Sequence, residues 1–168
     1  MSPGNGMLAP PLDIQRWFNT TEDLSLDEMR GEVIVIEAFQ MLCPGCVSTG
    51  IPQTKRIQQT FGNRVRVLGI HTVFEHHAAM NEVALEAFLH EYQIGFPVGV
   101  DRHEPGENIP VTMRRYGLRG TPSLLLIDRA GHLRANSFGH MSDMEVGASI
   151  QQLLDESSCS GGTCSVPN

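Results

Sequence analysis

Cys43 and Cys46 stand either side of Pro44 and Gly45 in the stretch MLCPGCVSTGIPQ. Two cysteines at this spacing serve three kinds of chemistry. They can be half of a tetrahedral zinc site, a structural disulfide, or a dithiol that opens and closes as a redox switch. Zinc needs two more ligands, and Cys159 and Cys164 supply them only if the C-terminus folds back. A disulfide closing so short a loop constrains the unfolded chain weakly. The spacing alone leaves all three open, so the neighbouring residues must decide.

The element before the pair is VIVIEAF, residues 33 to 39, an apolar and β-branched run of the kind found in a strand buried on both faces. It leads directly to Cys43. A helical pattern follows Cys46, with Val47, Ile51, Ile57 and Phe61 on one face, interrupted by Gly50 and Pro52. A cysteine at such a junction meets the free N–H groups of the first helical turn, which stabilise a thiolate. Cys46, one turn on, is placed to close a disulfide with it. Glu37 is the only charge in VIVIEAF. Burial there raises a carboxyl pKa and makes it an acid–base group near neutral pH. Much later, RGTPSLLLID places Pro122 directly before a strand. A cis Thr121–Pro122 bond would bring the Thr121 backbone against the cysteines, where an extended thiol substrate can pair with it.

The remaining pattern alternates strand and helix. LDIQRWF reads as an edge strand, SLDEMRGE as a helical turn, and RVRVLGIHTVF as a second buried strand. NEVALEAFLHEYQ has Val83, Leu85, Phe88 and Leu89 near helical spacing, with Gly95 as a stop. FPVGV is a short strand, and NIPVTMRRYG a short helix capped by Asn108 with Pro110 near its first turn and Gly117 at its end. SLLLID and HLRANSF form a hairpin around RAG. Ser142 and Glu145 have capping-box spacing at the start of a last helix. This order predicts an α/β fold with a central mixed sheet and helices on both faces. Residues 1–12 read as loose. The expected organisation is one domain over residues 1–156 and a flexible, cysteine-bearing tail over 157–168.

The chain has 168 residues, enough for one full core. A net charge of −7 argues against nucleic-acid binding, which needs a basic stripe. No apolar run is long enough to span a membrane. The N-terminal MSPGNGMLAPPLD lacks the basic and apolar regions of a secretory signal. The expected location is therefore the cytoplasm, or the periplasm if a leader has been removed.

A buried strand ending in Cys-x-x-Cys, followed late by Gly-Thr-Pro and a hairpin, resembles the thioredoxin fold. APPLDIQ through MLCPGC, FLHEYQIGFPVGVD and MRRYGLRGTPSLLLIDRAGHLR are similar to the TlpA/ResA-like thiol–disulfide oxidoreductases, relatives of the AhpC/TSA peroxiredoxins. The resemblance spans residues 8 to 156. It implies a thioredoxin fold with an N-terminal extension and an inserted helix and strand. It implies Cys43 as attacking thiol, Cys46 as resolving thiol, and Glu37 as a buried acid for proton transfer. Pro122 matches the family's cis-proline, with Thr121 before it, and Pro44 and Gly45 complete the substrate-binding rim. No metal and no organic cofactor is implied. The implied partners are protein thiols and disulfides together with a redox donor or acceptor. Phe39 and Leu42 stand where thioredoxins usually carry Trp, Pro44–Gly45 reverses the common Gly-Pro, and Pro52 comes one residue late, which predicts a helix irregularity.

Two other functions fit parts of the sequence. A thiol peroxidase would place its reactive cysteine at Cys43, but Ile36 and Gln40 stand where that family carries Pro and Thr. A copper chaperone would use the cluster His71, His76 and His77, against the simpler reading of unrelated histidines at a surface strand end. Cys159 and Cys164 are a candidate electron relay to the CPGC pair. The polar loop HEPGENIP, residues 103 to 110, is a connector that can reach the site.

Overall fold

The computed structural model describes residues 6–156; Cys159 and Cys164 lie outside the described residues. Six strands form one sheet in the order β1-β4-β3-β2-β5-β6. They are β1 (Ile14–Phe18), β2 (Val33–Phe39), β3 (Val65–His71), β4 (Val98–Asp101), β5 (Ser123–Ile127) and β6 (Leu133–Phe138). β2, β3 and β4 are parallel, while β1, β5 and β6 run antiparallel to their neighbours. Among the described residues the α-helices are α1 (Ile51–Phe61), α2 (Glu82–Glu91), α3 (Val111–Arg115) and α4 (Asp143–Glu156). This is the mixed, helix-flanked sheet that the sequence predicts, with LDIQRWF as an edge strand and SLLLID–HLRANSF as a hairpin.

Side-chain alternation along β2 divides the core in two. Val33, Val35 and Phe39 face a cluster built with Ile51, Ile57 and Phe61 of α1, Leu85 and Leu89 of α2, and Val146, Ile150 and Leu153 of α4. Ile34 and Ile36 face the other way, toward Leu68, Ile70, Leu125 and Ile127. That second face is covered by Ala9, Leu26 and Met29 of the N-terminal segment and by Tyr116. Glu37 has the parity of Val35 and Phe39, so its side chain is directed to the α1 side of the sheet.

Three local expectations are corrected. The segment around residues 7–12 is tied down: Ala9 N–H donates to Gly131 O at 2.9 Å, Leu133 N–H to Met7 O at 2.9 Å, and the Tyr116 hydroxyl to Pro10 O at 2.6 Å. Val83 is exposed, because Asn81 caps α2 by accepting from Ala84 N–H, and Leu85 and Leu89 then form the buried stripe. Asn108 does not cap α3. The carboxylate of Asp101, at the end of β4, accepts from Thr112 N–H at 2.8 Å and Met113 N–H at 2.9 Å and takes over that role. The capping box of α4 forms as expected: Glu145 N–H donates to Ser142 Oγ, and Ser142 N–H to Glu145 Oε2.

Candidate active site

β2 ends at Phe39, and the backbone turns through residues 40–42 into a helix whose first residues are Pro44 and Gly45. Pro44 suits a first helical turn, where its missing N–H is not needed. Cys43 occupies the cap position before it. Its Sγ accepts from Cys46 N–H at 3.2 Å and lies 3.4 Å from Thr121 O, to which the thiol donates. Cys43 is half-buried and Cys46 fully buried, and both are free thiols. Burial, then the contact with Cys43, pushes the Cys46 thiol far above its ordinary range. The pair therefore holds one accessible sulfur and one that keeps its proton.

The helix after Cys46 is irregular. Cys46–Gly50 is a π-helical turn, and α1 proper starts at Ile51. A π turn inserts one extra residue into a helix. That is the irregularity expected from Pro52 standing one residue late. The Thr49 hydroxyl donates to Gly45 O at 2.6 Å and the Thr54 hydroxyl to Gly50 O at 3.0 Å, occupying carbonyls along this turn.

Glu37 is 2% exposed, and its Oε1 has no hydrogen-bond partner among the described residues. Burial first, and charge on Cys43 second, hold its carboxyl well above the usual range. The Thr121–Pro122 peptide is cis. Its ring packs on the first turn of the helix, where a methyl group on Gly45 would stand 3.2 Å from Pro122 Cδ. Cys43, Cys46, Glu37, Thr121, Pro122 and Gly45 thus meet at the C-terminal end of β2, with Pro44 opening the helix. Leu42 is exposed beside Cys43, whereas Phe39 is fully buried in the core. Gly50 is a further site residue that sequence reasoning passed over as a break in the helical face. The close approach of Glu37 to it is visible only in three dimensions.

The histidines divide. His71 is not at a surface strand end: it is 1% exposed at the end of β3, with its ring against Phe39. Burial lowers its pKa to about 4. His77 and His103 meet edge to face, each with Nε2 on a backbone carbonyl, Asn108 O and Val73 O. His76 is exposed in a turn with positive φ. Among the described residues, no group of three His, Cys, Asp or Glu side chains is arranged to hold a metal ion. His103 of the loop 103–110 sits on Val73 O, and the adjacent Phe74 N–H donates to Gln40 Oε1 at 3.1 Å.

The AhpC/TSA family profile matches residues 6–136. The chain belongs to the AhpC/TSA family. Among solved structures, a thioredoxin-like superfamily protein is 58% identical, with a TM-score of 0.86 over 88% of this chain and 96% of that one. A thiol-disulfide isomerase from Corynebacterium glutamicum is 47% identical, with a TM-score of 0.83 over 87% of this chain and 96% of its own. A thioredoxin-like protein solved in its oxidized form shares the fold at 18% identity and a TM-score of 0.73, covering 90% of this chain and 97% of that one. No curated protein matches the chain. These likenesses place this AhpC/TSA chain among the thioredoxin-like, TlpA/ResA-like thiol–disulfide oxidoreductases and make it an enzyme of that class.

Proposed function

We propose that this protein exchanges disulfides with partner proteins through Cys43 and Cys46. The observation that carries the reading is the asymmetry of the pair: a half-buried Cys43 sulfur held between Cys46 N–H and Thr121 O, and a fully buried Cys46. In the reducing direction the Cys43 thiolate attacks one sulfur of a substrate disulfide. The substrate S–S bond breaks, a mixed disulfide forms, and the departing substrate thiolate takes a proton. Cys46 then gives its proton to the Glu37 carboxylate and attacks Cys43 Sγ. The mixed disulfide breaks, the second substrate sulfur leaves as a thiolate that takes the proton back from Glu37, and two electrons have passed from the CPGC pair to the substrate. The reverse sequence oxidises a dithiol partner. The backbone at Thr121–Pro122, with Pro44 and Gly45 opposite, lines the approach for an extended polypeptide. The isomerase from Corynebacterium glutamicum supports a protein disulfide as substrate. A redox titration in thiol/disulfide buffers, read by alkylation and mass spectrometry, tests this. Reversible two-electron cycling of Cys43/Cys46 is expected; a pair that never forms a disulfide refutes the reading.

The AhpC/TSA match favours one second reading, peroxide reduction at Cys43. Against it, Gln40 offers no hydroxyl to a peroxide, and its side-chain oxygen is occupied by Phe74 N–H. Rapid peroxide consumption by the Cys46→Ser variant would bring this reading forward.

A further inference from the structure

Gly50 is fully helical, with φ −61° and ψ −58°. Its backbone does not need glycine, and glycine inside a helix costs about 1 kcal/mol relative to alanine. Space explains it. A methyl group on Gly50 would stand 2.2 Å from Glu37 Oε1, 3.2 Å from Glu37 Cδ and 2.9 Å from Pro122 Cβ. The Glu37 carboxyl and the Pro122 ring therefore close directly on the bare Cα of Gly50. Among the described residues, Glu37 Oε1 has no hydrogen-bond partner to hold it there. An acid placed by packing, without a bond to that oxygen, is set by the volume of its neighbours.

We infer that Gly50 is a positioning residue for proton transfer: its missing side chain sets where the Glu37 carboxyl sits relative to the Cys43/Cys46 pair and Pro122. The π turn is part of the same device. It carries Cys46 at its first residue and Gly50 at its last, so one local distortion places the resolving thiol and the gap that admits its base. This rests on the disulfide-exchange reading for its chemistry, but the contact itself is independent of it.

The test compares Gly50→Ala, Glu37→Asp and the double variant. Glu37→Asp removes one methylene from the acid and opens room for the added methyl. Gly50→Ala should lower the denaturation midpoint, and Glu37→Asp should restore about half of that loss or more, a coupling of the kind neighbouring residues show. Resolution of a mixed disulfide by Gly50→Ala should slow by roughly tenfold to a hundredfold, as for a displaced acid–base group. Its pH profile should move, while the rate at which Cys43 is alkylated stays within about twofold. If Gly50→Ala does not fold, recovery of folding in the double variant supports the inference, and continued failure overturns it. Equal destabilisation with Glu or Asp at 37 also overturns it, as does an unmoved pH profile in a folded Gly50→Ala. A protein with no disulfide exchange in any form refutes the proposed function; the stability coupling still reports on the Gly50–Glu37 contact.

Discussion

Cys43 Sγ and Thr121 O lie 3.4 Å apart although 78 residues separate them in the chain. The contact joins the helix that follows β2 to the cis-peptide that precedes β5. Those two strands are hydrogen-bonded neighbours, with Ala38 opposite Ser123. The sheet register therefore brings the thiol and the carbonyl together. A substrate strand entering at Thr121 would meet the accessible sulfur at once, and it would displace the Cys43 thiol from that carbonyl.

This asymmetry predicts distinct outcomes for the two cysteines. Cys43→Ser should abolish exchange with a disulfide-bearing protein, because buried Cys46 cannot take its place. Cys46→Ser should still attack, then stop as a mixed disulfide that gels run without reductant reveal. A Cys43→Ser variant turning over normally would refute the assignment.

Asp101 predicts a large structural cost near the site. Its carboxylate accepts from the Thr72 hydroxyl at 3.0 Å and from Thr112 and Met113 N–H, all in buried surroundings. Asp101→Ala orphans these donors and should cost about 3 kcal/mol or more in urea unfolding. Asp101→Asn keeps one acceptor and should lose less. Equal stability of Asp101→Ala and the parent would mean that α3 finds another cap.

The sheet and the cysteine pair were legible because their signals are local. VIVIEAF, RVRVLGI and SLLLI are apolar runs of strand length, and a lone Glu37 within one of them pointed to a buried acid over a carboxylate turned to solvent at a strand end, which is what the structure shows. The late position of Pro52 pointed to a helix irregularity, and the structure shows it to be a π turn. What was not legible depends on contacts across the chain. Asp101 caps α3 from ten residues upstream of its first residue, so Asn108 looked like the cap. His71 ends a strand, and only its packing against Phe39 makes it part of the core. Gly50 reads as a weak helix residue until Glu37 and Pro122 are seen to fill its place.

His71 gives a stability prediction with a definite sign. Burial lowers its pKa to about 4, against about 6.5 in an unfolded chain. Between these values the unfolded state binds a proton that the folded state refuses. Stability contributed by neutral His71 is present above about pH 6.5 and is lost as pH falls toward 4. His71→Gln cannot titrate, so its denaturation midpoint should decline less over that window. Parallel curves for the two proteins would place the acid sensitivity elsewhere.

Glu37 has the opposite sign and a link to the redox state. Its carboxyl is held well above the usual range, so over that window the folded protein keeps a proton that the unfolded chain releases. Its contribution is fully present below the ordinary carboxylate range and is lost as pH rises through the raised value. Glu37→Gln should therefore be more stable than the parent at about pH 8, with a difference that vanishes near pH 4. The same variant should resolve mixed disulfides about a hundredfold more slowly, the scale of a lost general base. Burial is the larger cause of the shift and charge on Cys43 the smaller. Forming the Cys43–Cys46 disulfide removes that charge and leaves burial in place. Carboxyl-carbon NMR should then show Glu37 titrating lower in the oxidised protein than in the reduced one, yet still above an ordinary glutamate. Identical titrations in both states would separate Glu37 from the sulfur chemistry, and the proton taken from Cys46 would need another acceptor.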